Sequence, residues 1–398
     1  MPHFQTLGSL PLHNKRVLLR ADLNVPFTSG LVTDGTRLER LRPTLETLQK
    51  AGARIAILSH FGRPKGAPDP KYSLRPIAEK LASLMGQQIA FAEDCIGPKA
   101  AEAVAKLGPG DMVVLENTRF HPGEEANDPA FAAELAKLGD VYVNDAFSAA
   151  HRAHASTEGL AHLLPALAGR LMQEELEALG KALDRPERPV AALVGGAKIS
   201  TKLALLENLI AKVNVLVLGG GMANTFLAAK GYAIGTSLHE ADMLETARAI
   251  MKKAEARDCY ILLPRDVVVA EALFEDVPAT ITPVESVPPN RKILDIGPRT
   301  IAEIKQNLEQ CRTIVWNGPL GVFETPPFDR GTNAVAVAVA DLTKRGKLLS
   351  VAGGGDTVAA LAHAGVTEGI SYLSTAGGAF LEWLEGKTLP GVAALTKP

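Results

Sequence analysis

Short runs of β-branched residues and leucine alternate along this chain with longer, alanine-rich amphipathic stretches, and that alternation leaves few folds open. RVLLRADL precedes RLRPTLETLQKAGA, RIAILSH precedes SLRPIAEKLASLMG, and QIAFAED follows. The rhythm resumes after residue 188 with PVAALVGG, KLALLENLIAKV, NVLVLGGG, EADMLETARAIMKKAEARD and CYILLPRDVVVA. Strand–helix–strand repetition of this kind predicts α/β architecture with doubly wound parallel sheets. At 398 residues, two such blocks predict two domains. The division is expected at a leucine- and alanine-rich helix over about 165–183, followed by the punctuating DRPERP. A helix bridging two cores carries apolar positions on more than one face; an ordinary crossover helix is the alternative reading. The expected domains are 1–170 and 188–380, with 171–187 as interdomain helix and linker.

The ends of the strands divide the work between the halves. In the first half, apolar runs end in basic and polar residues: VLLRADLN at Asn24, IAILSHFGR at Arg63, VVLENTRF at Phe120, VYVNDAFSAAHR at Arg152. In the second half they end in glycines: AALVGGAKIS, VLVLGGGM, IVWNGPLGVFE, LLSVAGGGDT. Ligands of open parallel sheets bind outside the carboxyl ends of the strands. Arginines and histidines there suit a small polyanion. Glycine turns feeding helix starts suit a phosphate chain lying against backbone N–H groups. One half is therefore expected to take an acidic metabolite and the other a nucleotide.

Composition excludes several other classes. Hydrophobic residues make up 46% and charged residues 22%, enough for sizeable cores. A formal net charge of -2 gives no field favouring nucleic acid or an anionic membrane. Cys95, Cys259 and Cys311 are odd in number and scattered, without CxxC or histidine spacing. They argue for a reducing compartment and against a disulfide framework or a zinc site. MPHFQTLGSLPLHNKR has no apolar segment after a basic start, and no stretch sustains the ~18 apolar residues of a membrane span. A cytoplasmic protein without nucleic-acid or membrane partners is expected.

Familiar phosphate motifs do not account for the glycines. Walker A fails before Gly386-Lys387-Thr388, where Leu381 holds the first glycine position. The dinucleotide fingerprint fails at Gly219 to Asn224, and again from Gly353, where Val358 takes the third glycine position. A P-loop ATPase or a standard dehydrogenase is thereby disfavoured. A single glycine turn between strand and helix is common architecture. Three in one half, at Gly195, at Gly219-Gly220 and at Gly354-Gly355, with charged residues beside them, point to a ligand. In GGAKISTK, Lys198 and Lys202 stand four apart at a predicted helix start and would share one face; a solvated helix face is the plain alternative. In GGGDT, Asp356 enters the first helical turn beside Thr357. It reads either as an N-cap or as a ligand of Mg²⁺, which takes one or two carboxylates with phosphate oxygens. Asn317 and Glu324 offer hydrogen bonds to phosphate and ribose, with Pro319 and Val322 as an apolar surface for a base.

In the first half, Arg20, Arg37, His60, Arg63, Arg119, His151, Arg152 and His154 lie in or just after strand-ending segments, with few acids between them. So many cations at successive strand ends predict one anion site. Asp22 and Asn24 would orient a hydroxyl or hold an arginine. No carboxylate or cysteine completes a metal set around His151 and His154.

Taken in order, RADLNVP (20–26), SHFGRP (59–64), LENTRFHPGEE (115–125), NDAFSAAHRAHAS (144–156), GGAKISTK (195–202), LGGGMANTFL (218–227), WNGPLGVFE (316–324) and GGGDT (353–357) resemble phosphoglycerate kinase over essentially the whole chain. The resemblance implies reversible phosphoryl transfer between 1,3-bisphosphoglycerate and ADP, giving 3-phosphoglycerate and ATP, with Mg²⁺, by a monomer. It implies two Rossmann-like domains joined by a long helix, with a tail over about 381–398 returning to the first domain. By motif position, Asp22, Leu23, Asn24, Arg37, His60, Phe61, Gly62, Arg63, Arg119 and Arg152 would bind the glycerate. Gly195, Lys202, Gly219, Gly220, Asn317, Pro319, Glu324 and Gly354, Gly355, Asp356 and Thr357 would bind nucleotide, with Asp356 taking the metal. Two departures stand out: the family's usual STGGGA reads Ser374-Thr375-Ala376-Gly377-Gly378-Ala379, and AFGTAHR reads AFSAAHR, with Ser148-Ala149. Neither removes a charge.

The chemistry expected of such a site is spare. The acceptor in the ATP-consuming direction is a carboxylate, so no general base is required. Catalysis reduces to in-line positioning and neutralisation of the transferring phosphoryl, with Arg37, Lys198 and Lys202 as the expected catalytic cations. The rival is a non-catalytic two-domain protein that binds a phosphorylated metabolite. It would leave Lys198, Lys202 and Asp356 without a purpose.

Overall fold

Six runs of the first half pair side by side as strands β1 (Arg16–Arg20), β2 (Arg54–Leu58), β3 (Ala90–Ala92), β4 (Met112–Leu115), β5 (Val141–Asn144) and β6 (Ala166–Ala168). This computed structural model describes residues 4–396. The strands lie in the order β3-β4-β2-β1-β5-β6, and every neighbouring pair is parallel. The central strands are buried almost throughout, which is why they appear in the sequence as unbroken apolar runs rather than as an alternation. The helix Thr36–Lys50 buries Leu38, Leu41, Leu45 and Leu48, the three-and-four spacing of a single apolar stripe.

A second six-stranded parallel sheet follows, beginning with β7 (Val190–Val194), β8 (Val215–Leu218) and β9 (Tyr260–Leu262). The chain then leaves it for a three-stranded antiparallel sheet, β10 (Asp266–Ala270), β11 (Thr280–Pro283) and β12 (Lys292–Ile296). It returns with β13 (Thr313–Asn317), β14 (Leu349–Gly353) and β15 (Tyr372–Ser374). The order β9-β8-β7-β13-β14-β15 reverses direction at β7 and β13, the topology of a dinucleotide-binding half-and-half sheet. The small antiparallel sheet was not anticipated. CYILLPRDVVVA reads as one run, but Pro264 stands between β9 and β10, and the two halves join different sheets.

Two compact units result. One takes the chain up to Glu177 together with the segment from Thr388 onward; the other runs Ala178–Lys387. In the first unit the returning segment is tied at several points. Gly391 N–H donates to the Ala150 carbonyl at 2.9 Å, Phe4 bridges Thr396, and Thr6 bridges Ala168 of β6. Residues 381–387 lie in the second unit, and residues 397–398 of the expected tail are outside the described residues.

The helix expected over 165–183 begins later than the composition implies. Ala166–Ala168 form β6 against β5, and the helix proper is Arg170–Leu179, continued by a widened turn at Gly180–Asp184. Gly169 follows the strand, and a Cβ there would lie 2.2 Å from Asp145 Oδ1. Asp145 in turn accepts from the Met172 N–H at 3.1 Å, anchoring the start of that helix.

Candidate active site

Strand order reverses between β1 and β5 in the first sheet, and the predicted basic residues gather beyond those strand ends. Asp22, two residues past β1, is the hub. It accepts from Arg37 Nη1 at 2.9 Å, from Ser148 Oγ at 2.5 Å and from the Asn24 N–H at 3.0 Å. Arg37 Nη1 also donates to the Asn24 carbonyl at 2.8 Å, and Asn24 Oδ1 accepts from the Gly62 N–H at 3.1 Å. The loops after β1 and β2 and the first turn of the Thr36–Lys50 helix are thus one hydrogen-bonded assembly.

Beneath it lies Arg20, only 1% exposed. Its Nε donates to Ser156 Oγ at 2.8 Å, its Nη1 to the Ala21 carbonyl at 2.5 Å, and its Nη2 meets His60 Nδ1 at 2.9 Å. A guanidinium can only donate, so His60 Nδ1 accepts and the ring hydrogen sits on Nε2. Burial, and then the charge of Arg20 ahead of those of Arg119, His154 and Arg152, holds His60 well below the ordinary histidine range. Burial, followed by Arg119, Arg20 and Arg152, pushes His154 down to about 4. Arg119 Nη1 donates to the Gly62 carbonyl at 2.8 Å, and Arg152 Nε donates to His151 Nε2 at 3.2 Å. Arg63 is exposed on the same loop as Gly62. The structure therefore brings Arg20, His60, Arg119, Arg152 and His154 close enough to feel one another, and their mutual repulsion is what an incoming anion would relieve.

Three expected glycerate residues serve this assembly in other ways. Leu23 is wholly buried in the core, and only its N–H reaches the loop, donating to Ser59 Oγ at 2.9 Å. The Phe61 ring packs edge-on against Phe27 and Tyr72. Gly62, at φ +58, leaves room for the Tyr72 ring, which a Cβ would meet at 2.3 Å. Sequence reasoning missed Ser148, Ser156 and Glu124. Ser156 Oγ accepts from Arg20 and donates to Glu124 at 2.5 Å, linking a buried cation to a fully buried carboxylate. The signal was within reach, since NDAFSAAHRAHAS holds both serines, but nothing in the spacing says which of them turns inward.

In the second unit the reversal lies between β7 and β13, and the glycines there let backbone meet backbone. A Cβ on Gly195 would lie 1.7 Å from the Pro319 carbonyl oxygen, and one on Gly219 would lie 2.6 Å from Leu320 Cα. Gly219 N–H donates to the Val194 carbonyl at 3.1 Å and Gly220 N–H to the Leu320 carbonyl at 2.9 Å. Gly195, Gly219 and Gly220 therefore build the floor by close approach, with these N–H groups already bonded to protein.

Lys202 and Asn317 tie that floor together. Lys202 Nζ donates to the Gly195 carbonyl and to Asn317 Oδ1, each at 2.7 Å, while Asn317 Nδ2 donates to the Gly353 carbonyl at 2.9 Å. Three strand ends are joined through two side chains. Burial pushes the Lys202 ammonium down to about 8, against the opposing pull of Asp356. The helix expected to begin near Lys198 starts at Leu203 with Lys202 as its N-cap residue. Lys198 and Lys202 thus do not share a helical face: Lys198 is exposed on the preceding loop.

Gly354, at φ +99, precedes the helix Gly355–His363, which has no side-chain cap. Asp356 is therefore not an N-cap; it stands exposed in the first turn. Beyond its chain neighbours and its own helix, a Cβ built on Gly355 would meet nothing within 4 Å. Thr357 is buried, its Oγ1 accepting from the Gly318 N–H at 2.7 Å. Pro319 is half-buried and Glu324 exposed on the β13 loop. An exposed carboxylate beside an open, uncapped helix start fits Mg²⁺ carried with a polyphosphate, because that ion takes few protein oxygens and keeps its other positions for phosphate and water. The departure at Ala376 is accommodated: Gly377, not Ala376, carries the positive φ (+55) before the helix Gly378–Leu384.

The profile of the phosphoglycerate kinase family matches residues 7–387. A phosphoglycerate kinase of Rhodospirillum centenum is 62% identical over 392 residues, covering 98% of this chain and 99% of its own. One of Methylorubrum extorquens is 61% identical over 396 residues, covering 99% of each. Among solved structures, phosphoglycerate kinase from Coxiella burnetii superimposes with a TM-score of 0.94 at 45% identity, covering 99% of each chain. That from Pyrococcus horikoshii gives 0.81 at 32% identity over 98% of each.

Proposed function

Because this chain belongs to the phosphoglycerate kinase family, and so transfers a phosphoryl group reversibly between 1,3-bisphosphoglycerate and ADP to give 3-phosphoglycerate and ATP, we propose that its two reversal points divide the substrates between them. Arg37, His60, Arg63, Arg119 and Arg152 bind the glycerate, oriented by Asp22 and Asn24. Lys202, Pro319, Glu324 and the segment Gly354–Thr357 bind the nucleotide, on the floor made by Gly195, Gly219, Gly220 and Asn317. The observation that carries this division is the cation cluster at the ends of β1, β2, β4 and β5, where Arg20 Nη2 meets His60 Nδ1 at 2.9 Å and Arg119, Arg152 and His154 stand close enough to act on both. Small-molecule substrates suffice for the reaction, and no described helix is long and apolar enough to cross a membrane. A monomer in the cytoplasm is the state we propose.

In the ATP-consuming direction the attacking oxygen belongs to a carboxylate, so the side chains need not remove a proton. Their task is to line up the acceptor and to neutralise charge on the equatorial oxygens of a loose transition state. Arg37, set by Asp22 and the Asn24 carbonyl, presents a fixed guanidinium from the glycerate side. Lys202 exchanges one of its protein acceptors for a phosphate oxygen, and Lys198, on its exposed loop, reaches the same group. Mg²⁺, held by Asp356, would neutralise polyphosphate charge when bound. Glycerate and nucleotide are assigned to different units, so transfer requires the units to close around both and exclude water.

A coupled assay for ADP formation from 3-phosphoglycerate and MgATP tests the division. Arg37→Ala should lower kcat by about 10²–10³-fold with the KM for MgATP little changed. Asp356→Asn should raise the Mg²⁺ needed for half-maximal rate and leave the KM for 3-phosphoglycerate intact. An Arg37→Ala enzyme of undiminished kcat would show that the phosphoryl group passes elsewhere.

A further inference from the structure

His121 belongs to the motif LENTRFHPGEE, yet the glycerate site leaves it unused. Its position follows from sheet order. β3 and β4 are adjacent parallel strands, so the loops leaving their carboxyl ends are neighbours. Asp94 and Cys95 stand on the first loop, and His121 follows the single turn Thr118–Phe120 on the second. One ligand atom from each of Asp94, Cys95 and His121 lies within 4.8 Å of the others. His121 Nε2 meets Asp94 Oδ1 at 2.7 Å. The same carboxylate oxygen accepts from the Cys95 N–H at 2.7 Å, which fixes the loop. The His121 ring stacks on Phe131, with centroids 5.1 Å apart.

We propose that Asp94, Cys95 and His121 form a binding site for a thiophilic divalent cation of the zinc class. Nitrogen, sulfur and oxygen donors together suit such an ion and suit Mg²⁺ poorly. A tetrahedral ion with bonds of about 2.0–2.3 Å holds its ligands roughly 3.3–3.6 Å apart. The His121–Asp94 pair opens by well under 1 Å to admit it, and Cys95 closes in. A further observation points the same way: His121 lies between two carboxylates of its own segment, Glu116 and Glu124. Glu116 and Glu124 are themselves buried, and their hydrogen bonds come from neutral groups: Ser73, Leu74 and Asn117 on one, Ser156 on the other. The Asp94 and His121 side chains are 39% and 29% exposed, which leaves one coordination position to water. Sequence spacing argues against a zinc site because the ligands come from different strand ends; the fold supplies the proximity that spacing lacks. Binding transfers the Cys95 thiol proton to solvent and puts the metal in place of the hydrogen between His121 Nε2 and Asp94, the imidazole hydrogen then residing on Nδ1.

Cobalt(II) titration of the metal-free, full-length protein tests this, with excess Mg²⁺ present to fill oxygen-only sites. One equivalent should bind, with a thiolate-to-cobalt band in the near ultraviolet and strong visible bands of tetrahedral geometry. Zinc should displace it and raise the melting temperature, and uptake should release a proton and tighten as pH rises. The near-ultraviolet band should vanish in Cys95→Ser, and affinity should fall at least about tenfold in His121→Gln, a change at a half-buried position whose melting temperature without metal reports whether the fold is kept. Absence of saturable binding to the unaltered protein overturns the proposal. So does an unaltered cobalt spectrum and affinity in His121→Gln, whatever becomes of Cys95→Ser.

Discussion

Single side chains set the charge state of the cluster proposed to take the glycerate. A base held below its ordinary pKa in the folded state binds fewer protons there than in the unfolded chain. For His154, the stability so gained is present above the ordinary value of 6.5 and drains away as pH falls from there toward about 4. His60, also depressed, adds to the loss in the same direction. An anion bound beside these rings would oppose both shifts. Histidine proton NMR should therefore show neutral rings in the free protein down to about pH 5, and both titrations should move upward when 3-phosphoglycerate is added. A His154 ring that titrates at its ordinary value without ligand would remove the cluster from the glycerate site. Ser148 is a second residue-scale case. Its hydroxyl and Arg37 share one oxygen of Asp22, so Ser148→Ala loosens the group that holds the arginine. We expect the KM for 3-phosphoglycerate to rise several-fold, the KM for MgATP to stay level, and stability to fall by about 1–2 kcal/mol. Equal changes in both KM values would mark Ser148 as merely structural.

At the scale of elements, glycines of the second unit fall into two kinds, and substitution separates them. Gly195→Ala drives a methyl into the Pro319 carbonyl at 1.7 Å and should cost at least about 3 kcal/mol, read as a lower melting temperature with or without nucleotide. Gly355→Ala meets nothing within 4 Å, so the protein should melt normally, or slightly higher since alanine favours the helix, while the KM for MgATP rises. A normal nucleotide KM in a stable Gly355→Ala protein would place the phosphates away from that helix. The same contrast shows how far the sequence can be read. Strand and helix rhythm is local, so both parallel sheets and the chemistry of their ends were legible. Gly195 and Gly355 look alike in the chain, because what distinguishes them is a loop over a hundred residues away in one case and open space in the other. The late start of the Arg170–Leu179 helix was hidden for a related reason. Leucine and alanine serve a buried strand as well as a helix, and partners chosen by tertiary packing settle which one forms. Asp356, too, reads as a cap until the backbone shows the helix uncapped.

For the whole molecule, chemistry is expected to wait on closure. With glycerate assigned to one unit and nucleotide to the other, differential affinity for a closed state is what would shift the population. Small-angle scattering should give a smaller radius of gyration for the complex with 3-phosphoglycerate and a non-reacting nucleotide than for either ligand alone. An unchanged radius in the ternary complex would contradict the mechanism. The return of the chain from Thr388 to the first unit has a further consequence, for synthesis on the ribosome. Domains ordinarily mature in the order in which they are translated. Here the amino-terminal unit still lacks the Gly391 contact to Ala150 and the Thr396 bridge to Phe4 when all of Ala178–Lys387 has already been made. The unit begun first is the one finished last, so a nascent chain stalled before Thr388 would carry a complete second unit and an unfinished first one.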